Sequence, residues 1–213
     1  MFRSCGVSGV KGGALPETPQ TGNPDGPVSN GKAGPGRLVL IVGPSGAGKD
    51  TLIAGLKADL AGRSDIHFAR RQVTRPADAD SEDHDTLSED AYAAVTTNGN
   101  CALFWRAHGL GYVLPQTCDD VIRRGGTVIA NGARRALHRA FEKYAHVDVV
   151  LITAPIPVLA ERLAARGRES KAQIEARLTH ADLEPQNVPG LIRIENTGTI
   201  KEGVAAMRAA LSL

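Results

Sequence analysis

The sequence predicts an α/β fold in which helices cover both faces of a parallel sheet. From Arg37 onward, short apolar runs alternate with helical segments, which is the pattern of such a sheet. The first apolar run, Leu38 to Val42, leads directly into a glycine-rich stretch and then into an amphipathic segment from Thr51 to Leu60. The 213 residues, 42% of them hydrophobic, suffice for one core with a small insertion.

The glycine-rich stretch has the composition and spacing of a phosphate-binding loop. Its three glycines allow backbone turns that aim N–H groups at one anion, and the following helix adds the positive end of its dipole. Lys49 can reach the outer phosphates, and G-x-x-x-x-G-K is the Walker A pattern. An ordinary strand-to-helix turn would not require all these features together. The predicted nucleotide-binding residues are Gly43, Pro44, Ser45, Gly46, Ala47, Gly48, Lys49, Asp50 and Thr51.

Asp50 stands where the Walker pattern has a Ser or Thr whose hydroxyl holds magnesium. A carboxylate is a hard oxygen ligand that suits Mg²⁺. It also places negative charge beside the triphosphate, so magnesium or Lys49 has to neutralise it. We expect Asp50 to bind the metal, directly or through water, with Thr51 as a hydroxyl partner. The other explanation, that Asp50 only caps the first helical turn, stays open at this point.

Composition excludes several classes of function. A net charge of +2, a pI of ≈ 8.5 and 4% aromatic residues do not indicate a nucleic-acid surface. No apolar run reaches the roughly 20 residues of a membrane span, and the N-terminus lacks the apolar core of a signal peptide. The 3 scattered cysteines favour neither a disulfide framework nor a zinc cluster, so we expect a cytoplasmic protein. The sequence leaves open whether the chain forms a homodimer.

Residues 1–36 are rich in Gly and Pro and lack any sustained apolar period, so we predict a disordered tail before a domain of residues 37–213. A second strand is predicted at Ile66 to Ala69, and it ends in the stretch from Arg70 to Pro76. Open α/β sheets bind ligands at such strand ends, and this one carries Arg70, Arg71 and Arg75. A solvated edge with scattered positive charge is the alternative.

The middle of the chain predicts a small excursion from the main sheet. After a short helix that begins at Ser88, residues 102–115 have the pattern of a strand, a turn and a strand, so about residues 70–115 are set apart from the main sheet. Trp105 and Tyr112 are equally consistent with core filling and ligand contact, whereas His108 suits the turn. The remaining predicted elements are a helix at 116–124, strands at 127–130, 147–152 and 191–195, and helices at 155–163, 171–183 and 200–211.

Arginines cluster around a glycine in residues 162–177. Arg162 and Arg166 are four residues apart and share a helix face, and Arg177 lies in the next predicted helix. A guanidinium group binds phosphoryl oxygens through two parallel hydrogen bonds, so this segment suits a mobile lid that closes over phosphates. A solvated helix with pairs to Glu161 and Glu169 accounts for the spacing equally well.

Several short motifs follow one another over residues 37–213. In order they are Gly43-Pro44-Ser45-Gly46-Ala47-Gly48-Lys49, Thr74-Arg75-Pro76, Asp83-His84 with Ser88-Glu89, His108-Gly109 with Tyr112, and Arg166-Gly167 with Arg177. In this order the chain resembles the guanylate kinase superfamily, whose members transfer a phosphoryl group from ATP to a phosphate. The resemblance implies lid arginines at Arg166 and Arg177 and an adenine pocket near Asn196. It also implies an acceptor-binding region at about residues 70–115, in which Arg75, His84 and Tyr112 hold the acceptor phosphate.

The groups with which guanylate kinases read guanine are absent. Their glutamate falls where this chain has Leu103-Phe104-Trp105, and their Ser/Thr falls at Leu114. A second acceptor-site arginine is replaced by Asp78, and the acidic residues on the strand before Asn131-Gly132 are replaced by Thr127 and Ile129.

A narrower family fits these departures. Its features here are Gly48-Lys49-Asp50, the turn at 75–79, Glu82-Asp83-His84, Ala107-His108-Gly109-Leu110 and Asn131-Gly132. Together they resemble the ribose 1,5-bisphosphate phosphokinases, which make 5-phosphoribosyl 1-diphosphate from ribose 1,5-bisphosphate and ATP in phosphonate degradation. The resemblance implies ATP and Mg²⁺, with Lys49, Arg166 and Arg177 as catalytic groups. The acceptor residues would be Arg71, Arg75, His84 and Tyr112, with Arg70, Arg71 or Arg106 at the second phosphate.

Two other functions stay open at this point. One is a different small-molecule kinase, chiefly guanylate kinase. The other is a guanylate-kinase-like domain that binds protein partners and has lost catalysis, although such domains usually have a degraded phosphate loop and this chain keeps Gly48-Lys49.

Overall fold

The structure is a computed structural model that describes residues 31–75, 84–165, 167, 174–175, 178, 185 and 187–213. Three groups of predictions fall wholly or mainly outside these residues. They are the tail as far as residue 30, the motif residues within 76–83, and most of the lid, including Arg166 and Arg177.

The main sheet is parallel, as the sequence predicted. In the described part of the chain the strands are β1 (Arg37–Val42), β2 (Ile66–Phe68), β3 (Arg71–Val73), β4 (His84–Thr86), β5 (Cys101–Ala107), β6 (Leu110–Pro115), β7 (Thr127–Asn131), β8 (Val147–Thr153) and β9 (Ile192–Glu195). The main sheet has the order β2-β7-β1-β8-β9, and every neighbouring pair in it is parallel. Strand β1 is therefore central, and its C-terminal end lies beside the ends of β7 and β8.

Helices cover both faces of this sheet. They are α1 (Lys49–Asp59), α2 (Glu89–Thr97), α3 (Thr117–Arg123), α4 (Leu137–Lys143), α5 (Ile156–Ala165) and α6 (Ile200–Leu211), with a 3₁₀ turn at Arg134–Ala136 before α4. One face packs on α1, α5 and α6 through Leu52, Leu159 and Met207, and the other on α3 and α4. Among the described helices, none has both the length and the apolar character that a bilayer crossing requires.

A second sheet carries the predicted acceptor region, and it corrects one expectation. The main-sheet strand β2 ends at Phe68, and residues Arg71–Val73 form β3 in a separate sheet of order β4-β3-β6-β5. Strand β3 pairs with β4 in parallel and with β6 in antiparallel orientation, so its backbone bonds are made away from the main sheet. The predicted hairpin is confirmed, with His108 and Gly109 at its turn, both at positive φ.

The folded domain begins earlier than Arg37. The backbone N–H of Ala33 donates to the carbonyl oxygen of Lys143 (2.8 Å), and that of Ala145 donates to the carbonyl oxygen of Ala33 (2.9 Å). The N–H of Gly36 donates to the carbonyl oxygen of Ile122 (2.8 Å). Residues 33–36 therefore lie on the domain, because backbone hydrogen bonds hold them there irrespective of their Gly/Pro-rich composition.

Candidate functional site

The glycine-rich loop connects β1 with α1, and two of its glycines are required by close contacts. A Cβ at Gly43 would lie 2.0 Å from the carbonyl oxygen of Ile152, and a Cβ at Gly48 would lie 2.4 Å from Nδ2 of Asn196. Gly48 has φ 87°, a left-handed conformation that other residues rarely adopt. It directly precedes α1, and no side chain in the described residues caps this helix. The backbone N–H groups at the N-terminus of α1 can therefore donate to a bound anion.

Lys49 lies across this loop. Its Nζ donates to the carbonyl oxygens of Gly43 (2.9 Å) and Pro44 (3.0 Å). These contacts hold the ammonium group beside the loop whose backbone would surround the phosphates. The position is the one that the Walker A pattern assigns to its lysine.

Asp50 is exposed in the first turn of α1 and is joined to the end of β7. Nδ2 of Asn131 donates a hydrogen bond to Oδ1 of Asp50. Within the described residues, no three His, Cys, Asp or Glu side chains cluster as a metal cage. Mg²⁺ commonly takes only one or two carboxylates, with waters and substrate phosphates completing its shell. Asp50 and the neighbouring Thr51 fit a magnesium ion shared with a nucleotide better than one held by protein alone.

Asn196, which follows β9, braces the loop. Its Nδ2 donates to the carbonyl oxygen of Ala47 (2.8 Å), and its backbone carbonyl oxygen accepts from Nη2 of Arg162 (3.0 Å). Nη1 of Arg162 is buried and has no hydrogen-bond partner among the described residues. A buried donor without a partner is rare in folded proteins and is expected where a ligand binds. Sequence reasoning placed Arg162 in the lid but not in the site, although its spacing from Arg166 was a usable signal.

The loop, Arg162 and Asn196 enclose a cleft of ≈ 320 Å³. Because it lies beside Gly46, Gly48 and Thr51, it can take a nucleotide whose phosphates meet the loop. The other lining residues are Leu52, Arg162, Ala165, Asn196, Gly198 and Ile200.

Three of the predicted acceptor residues come together on the second sheet. Arg71 and His84 are opposite each other in the β3–β4 pair, and both side chains are buried. The guanidinium carbon of Arg71 lies 5.4 Å from the ring centroid of Tyr112. That ring stacks on Trp105, with centroids 5.4 Å apart and an interplanar angle of 1°. Tyr112 therefore lies between a cation and a second aromatic ring.

Arg71 is a buried cation next to a second arginine. The pKa of Arg71 is lowered to about 10, mainly by burial and also by the charge of Arg75, whereas Asp50 and Tyr112 raise it. Arg71 stays charged at neutral pH. Because the charge of Asp50 raises this pKa, the candidate metal ligand and the acceptor residue Arg71 are near enough to interact electrostatically.

Arg75 follows β3 and completes the predicted acceptor group. Its Nε is buried without a hydrogen-bond partner in the described part of the chain. A phosphate would supply that partner and would also stabilise two adjacent guanidinium groups.

The two other arginines predicted for a second phosphate have carboxylate partners. Nε of Arg70 lies 3.0 Å from Oδ1 of Asp85, and Nη2 of Arg106 lies 2.7 Å from Oε2 of Glu89. Arg70 and Arg106 thus each already have a counter-charge in this structure, and their role at a second phosphate stays a prediction. Arg166 and Arg177, the predicted lid arginines, lie outside the described residues.

Comparison with known proteins agrees with this geometry. A family model described as an AAA domain matches residues 38–187. The chain is 42% identical over 176 residues to a ribose 1,5-bisphosphate phosphokinase from Rhizobium etli, covering 83% of this chain and 89% of the relative. It is 46% identical to the enzyme of the same name from Methylobacterium radiotolerans, covering 83% of this chain and 98% of the relative. The chain belongs to the ribose 1,5-bisphosphate phosphokinase family.

A further relative in this family, from Rhodopseudomonas palustris, is 50% identical over 160 residues, which cover 73% of this chain and 82% of the relative. The members of the family are kinases, so the enzyme class predicted from the phosphate loop is confirmed. The crystal structure of guanylate kinase from Anaplasma phagocytophilum superposes with a TM-score of 0.61 at 19% identity, covering 85% of this chain and 86% of that one. This likeness confirms the fold.

Proposed function

We propose that this chain transfers the γ-phosphoryl group of ATP to the 1-phosphate of ribose 1,5-bisphosphate, giving 5-phosphoribosyl 1-diphosphate and ADP in phosphonate catabolism in the cytoplasm. The names of the relatives support the substrate. The observation that carries the proposal is that Asp50 adjoins the glycine-rich loop and is also near enough to Arg71 for their charges to interact.

The chemistry requires alignment more than proton transfer. A phosphate oxygen of the acceptor is already anionic at neutral pH, so it can attack the γ-phosphorus without a general base. The bond from the γ-phosphorus to the bridging oxygen breaks, and ADP leaves with that oxygen. Catalysis then rests on neutralising charge and holding the two phosphates in line.

The residues divide into three groups by role. Lys49 and the proposed lid arginines, Arg166 and Arg177, stabilise the phosphoryl group in transfer. Arg71, Arg75, His84 and Tyr112 hold the acceptor. The loop from Gly43 to Thr51 and Asn196 hold ATP.

Magnesium would be held by Asp50 and Thr51 together with the nucleotide phosphates. When bound, it supplies charge neutralisation to the phosphate oxygens. The hydrogen bond from Asn131 orients the Asp50 carboxylate for this role.

Guanylate kinase activity is the nearest alternative, and the second sheet argues against it. Leu103 and Leu114 are 3% and 0% exposed and belong to the apolar core. Neither side chain can form a hydrogen bond with a base, and a site without such partners loses most of its discrimination.

Product analysis tests the proposal directly. The protein is incubated with ATP, magnesium and ribose 1,5-bisphosphate, and in parallel with GMP in place of the sugar. We expect 5-phosphoribosyl 1-diphosphate and ADP from the first reaction and little turnover in the second. Equal efficiency with GMP would overturn the substrate, and failure to bind ATP in a thermal-shift titration would instead favour a non-catalytic, protein-binding domain.

A further inference from the structure

A second cleft, of ≈ 480 Å³, lies along β5 and is lined by three arginines and three aromatic residues. They are Arg106, Arg135, Arg139, Tyr92, Phe104 and Trp105. Strand β5 is an edge strand of the second sheet in the described part of the chain. None of these residues lines the nucleotide cleft.

The cleft carries an excess of positive charge. Arg106 is paired with Glu89 at 2.7 Å, which accounts for one of the three guanidinium groups. Arg135 and Arg139 are exposed, and across the described residues the structure pairs neither with a carboxylate. Two positive charges therefore face one small volume without a counter-ion from the described protein.

Aromatic rings hold two of the guanidinium groups in place. The guanidinium carbon of Arg139 lies 3.9 Å from the ring centroid of Phe104, and that of Arg106 lies 4.5 Å from that of Tyr92. Such contacts use the face of a guanidinium group, while its N–H groups lie in its plane and can still bind a planar or tetrahedral anion. Arg135 and Arg139 are four residues apart in the segment formed by the 3₁₀ turn and α4. This spacing places them on one side of that segment.

We propose that Arg135 and Arg139 form a second phosphate-binding site in this cleft. A phosphate ester carries a charge of about −1.5 to −2 at neutral pH, which matches the two unpaired guanidinium groups. A guanidinium group binds either a phosphate or a carboxylate through two parallel hydrogen bonds, but a single carboxylate carries only one negative charge, so two arginines suit a phosphate better.

Two sources can supply this phosphate, and Trp105 connects the cleft to both. Trp105 lines the cleft, and its ring stacks on that of Tyr112, against which the guanidinium group of Arg71 lies. The ligand is thus either the distal phosphate of the sugar acceptor or a separate phosphorylated molecule. The first source rests on the proposed function, whereas phosphate binding itself does not.

Trp105 is the single tryptophan of the chain, and because it lines the cleft and stacks on Tyr112, its fluorescence responds to both places, which the variants below separate. The full-length protein is titrated with inorganic phosphate and with ribose 5-phosphate at constant ionic strength. We expect a saturable change in emission whose apparent Kd rises at least tenfold in Arg135→Ala/Arg139→Ala. The matched control, Lys57→Ala/Arg124→Ala, removes two exposed positive charges that line neither cleft and should titrate as wild type.

Two further variants locate the bound phosphate. Arg135→Ala alone keeps the contact between Arg139 and Phe104 and should weaken binding partially. Arg71→Ala weakens the acceptor site and should still show the saturable change that the double variant loses. An unchanged Kd in the double variant, or a signal lost only in Arg71→Ala, would place the phosphate among the acceptor residues and overturn the proposal.

Steady-state kinetics separate the two sources. If the acceptor supplies the phosphate, the double variant raises KM for ribose 1,5-bisphosphate and leaves KM for ATP unchanged. If a separate ligand supplies it, KM in phosphate-free buffer is unchanged, and inorganic phosphate alters the rate of the wild type but not of the variant. A wild-type protein that makes no product from ribose 1,5-bisphosphate would contradict the proposed function and leave the fluorescence test valid.

Discussion

Asn131 and Asp50 are joined by a hydrogen bond from Nδ2 of the amide to Oδ1 of the carboxylate. The residues are far apart in sequence, and they meet because β7 runs beside β1 with Asn131 opposite Ile41. The bond orients a carboxylate at the start of α1, next to the loop. A side chain that would otherwise be a helix-capping group is thereby positioned for a ligand.

The first prediction is that Asp50→Asn raises the magnesium concentration for half-maximal activity. An amide is a weaker ligand than a carboxylate for a hard cation, whereas its Oδ1 can still accept the hydrogen bond from Asn131, so the substitution changes mainly the ligand charge. The control is Asp59→Asn, which neutralises a carboxylate at the other end of the same helix. A magnesium titration that superimposes on the wild-type curve would assign Asp50 to helix capping alone.

The second prediction concerns Arg75, whose buried Nε has no hydrogen-bond partner among the described residues. Arg75→Ala should raise KM for ribose 1,5-bisphosphate by about tenfold or more, because a hydrogen bond to a charged group contributes ~1.5–3 kcal/mol. KM for ATP should change little. Arg70→Ala is the matched control, since Arg70 is paired with Asp85 and should affect KM weakly. Equal effects of the two variants would contradict the assignment.

The third prediction separates Arg162 from the lid arginines. Arg162 binds the carbonyl oxygen of Asn196 and lines the nucleotide cleft, so Arg162→Ala should weaken ATP binding, measured by calorimetry. Arg166→Ala and Arg177→Ala should lower kcat more than they weaken ATP binding, because groups that engage only on closure act mainly on the transition state. Unchanged kcat in both lid variants would favour the solvated-helix explanation.

The fourth prediction compares two truncations. Removing residues 1–30 should change the melting temperature little, because their composition does not support a core. Removing residues 1–36 also removes the three backbone hydrogen bonds of Ala33 and Gly36. At ~0.5–1.5 kcal/mol each, that loss would lower the free energy of unfolding by about 1.5–4.5 kcal/mol. Equal stability of the two truncated proteins would show that these bonds contribute nothing.

The fifth prediction concerns pH. Burial raises the pKa of the Cys118 thiol from 9.0 to about 12. The unfolded chain therefore loses this proton at lower pH than the native protein, and the free energy of unfolding falls as pH rises from 9.0 to about 12. The slope for one thiol is at most ~1.4 kcal/mol per pH unit.

Cys118→Ala isolates that thiol. The variant should show a shallower decline in stability over the same pH range, measured by denaturant unfolding at each pH. Burial also raises the pKa of Tyr144, but this group is present in both proteins and its effect cancels. Parallel curves would show that Cys118 does not contribute.

The sequence by itself determined the parallel α/β fold, the phosphate loop and the positions of the main-sheet strands along the chain. These depend on local patterns: an apolar run buried on both faces, glycines before a lysine, and helical periodicity. The resemblance to a family likewise rested on short motifs that are readable without a structure. The sequence patterns did not predict the short strand β3 or helix α4, because these segments have weak local patterns.

Tertiary structure alone decided which distant side chains meet and which arginines are available. Asn131 reaches Asp50, and Asn196 reaches Ala47, only because parallel strands end at one edge of the sheet. Charge pairing was equally invisible in the sequence. Arg70 and Arg106 have carboxylate partners, whereas the buried Nε of Arg75 has no hydrogen-bond partner among the described residues. Long-range packing sets the distances on which Coulomb attraction and hydrogen bonding depend.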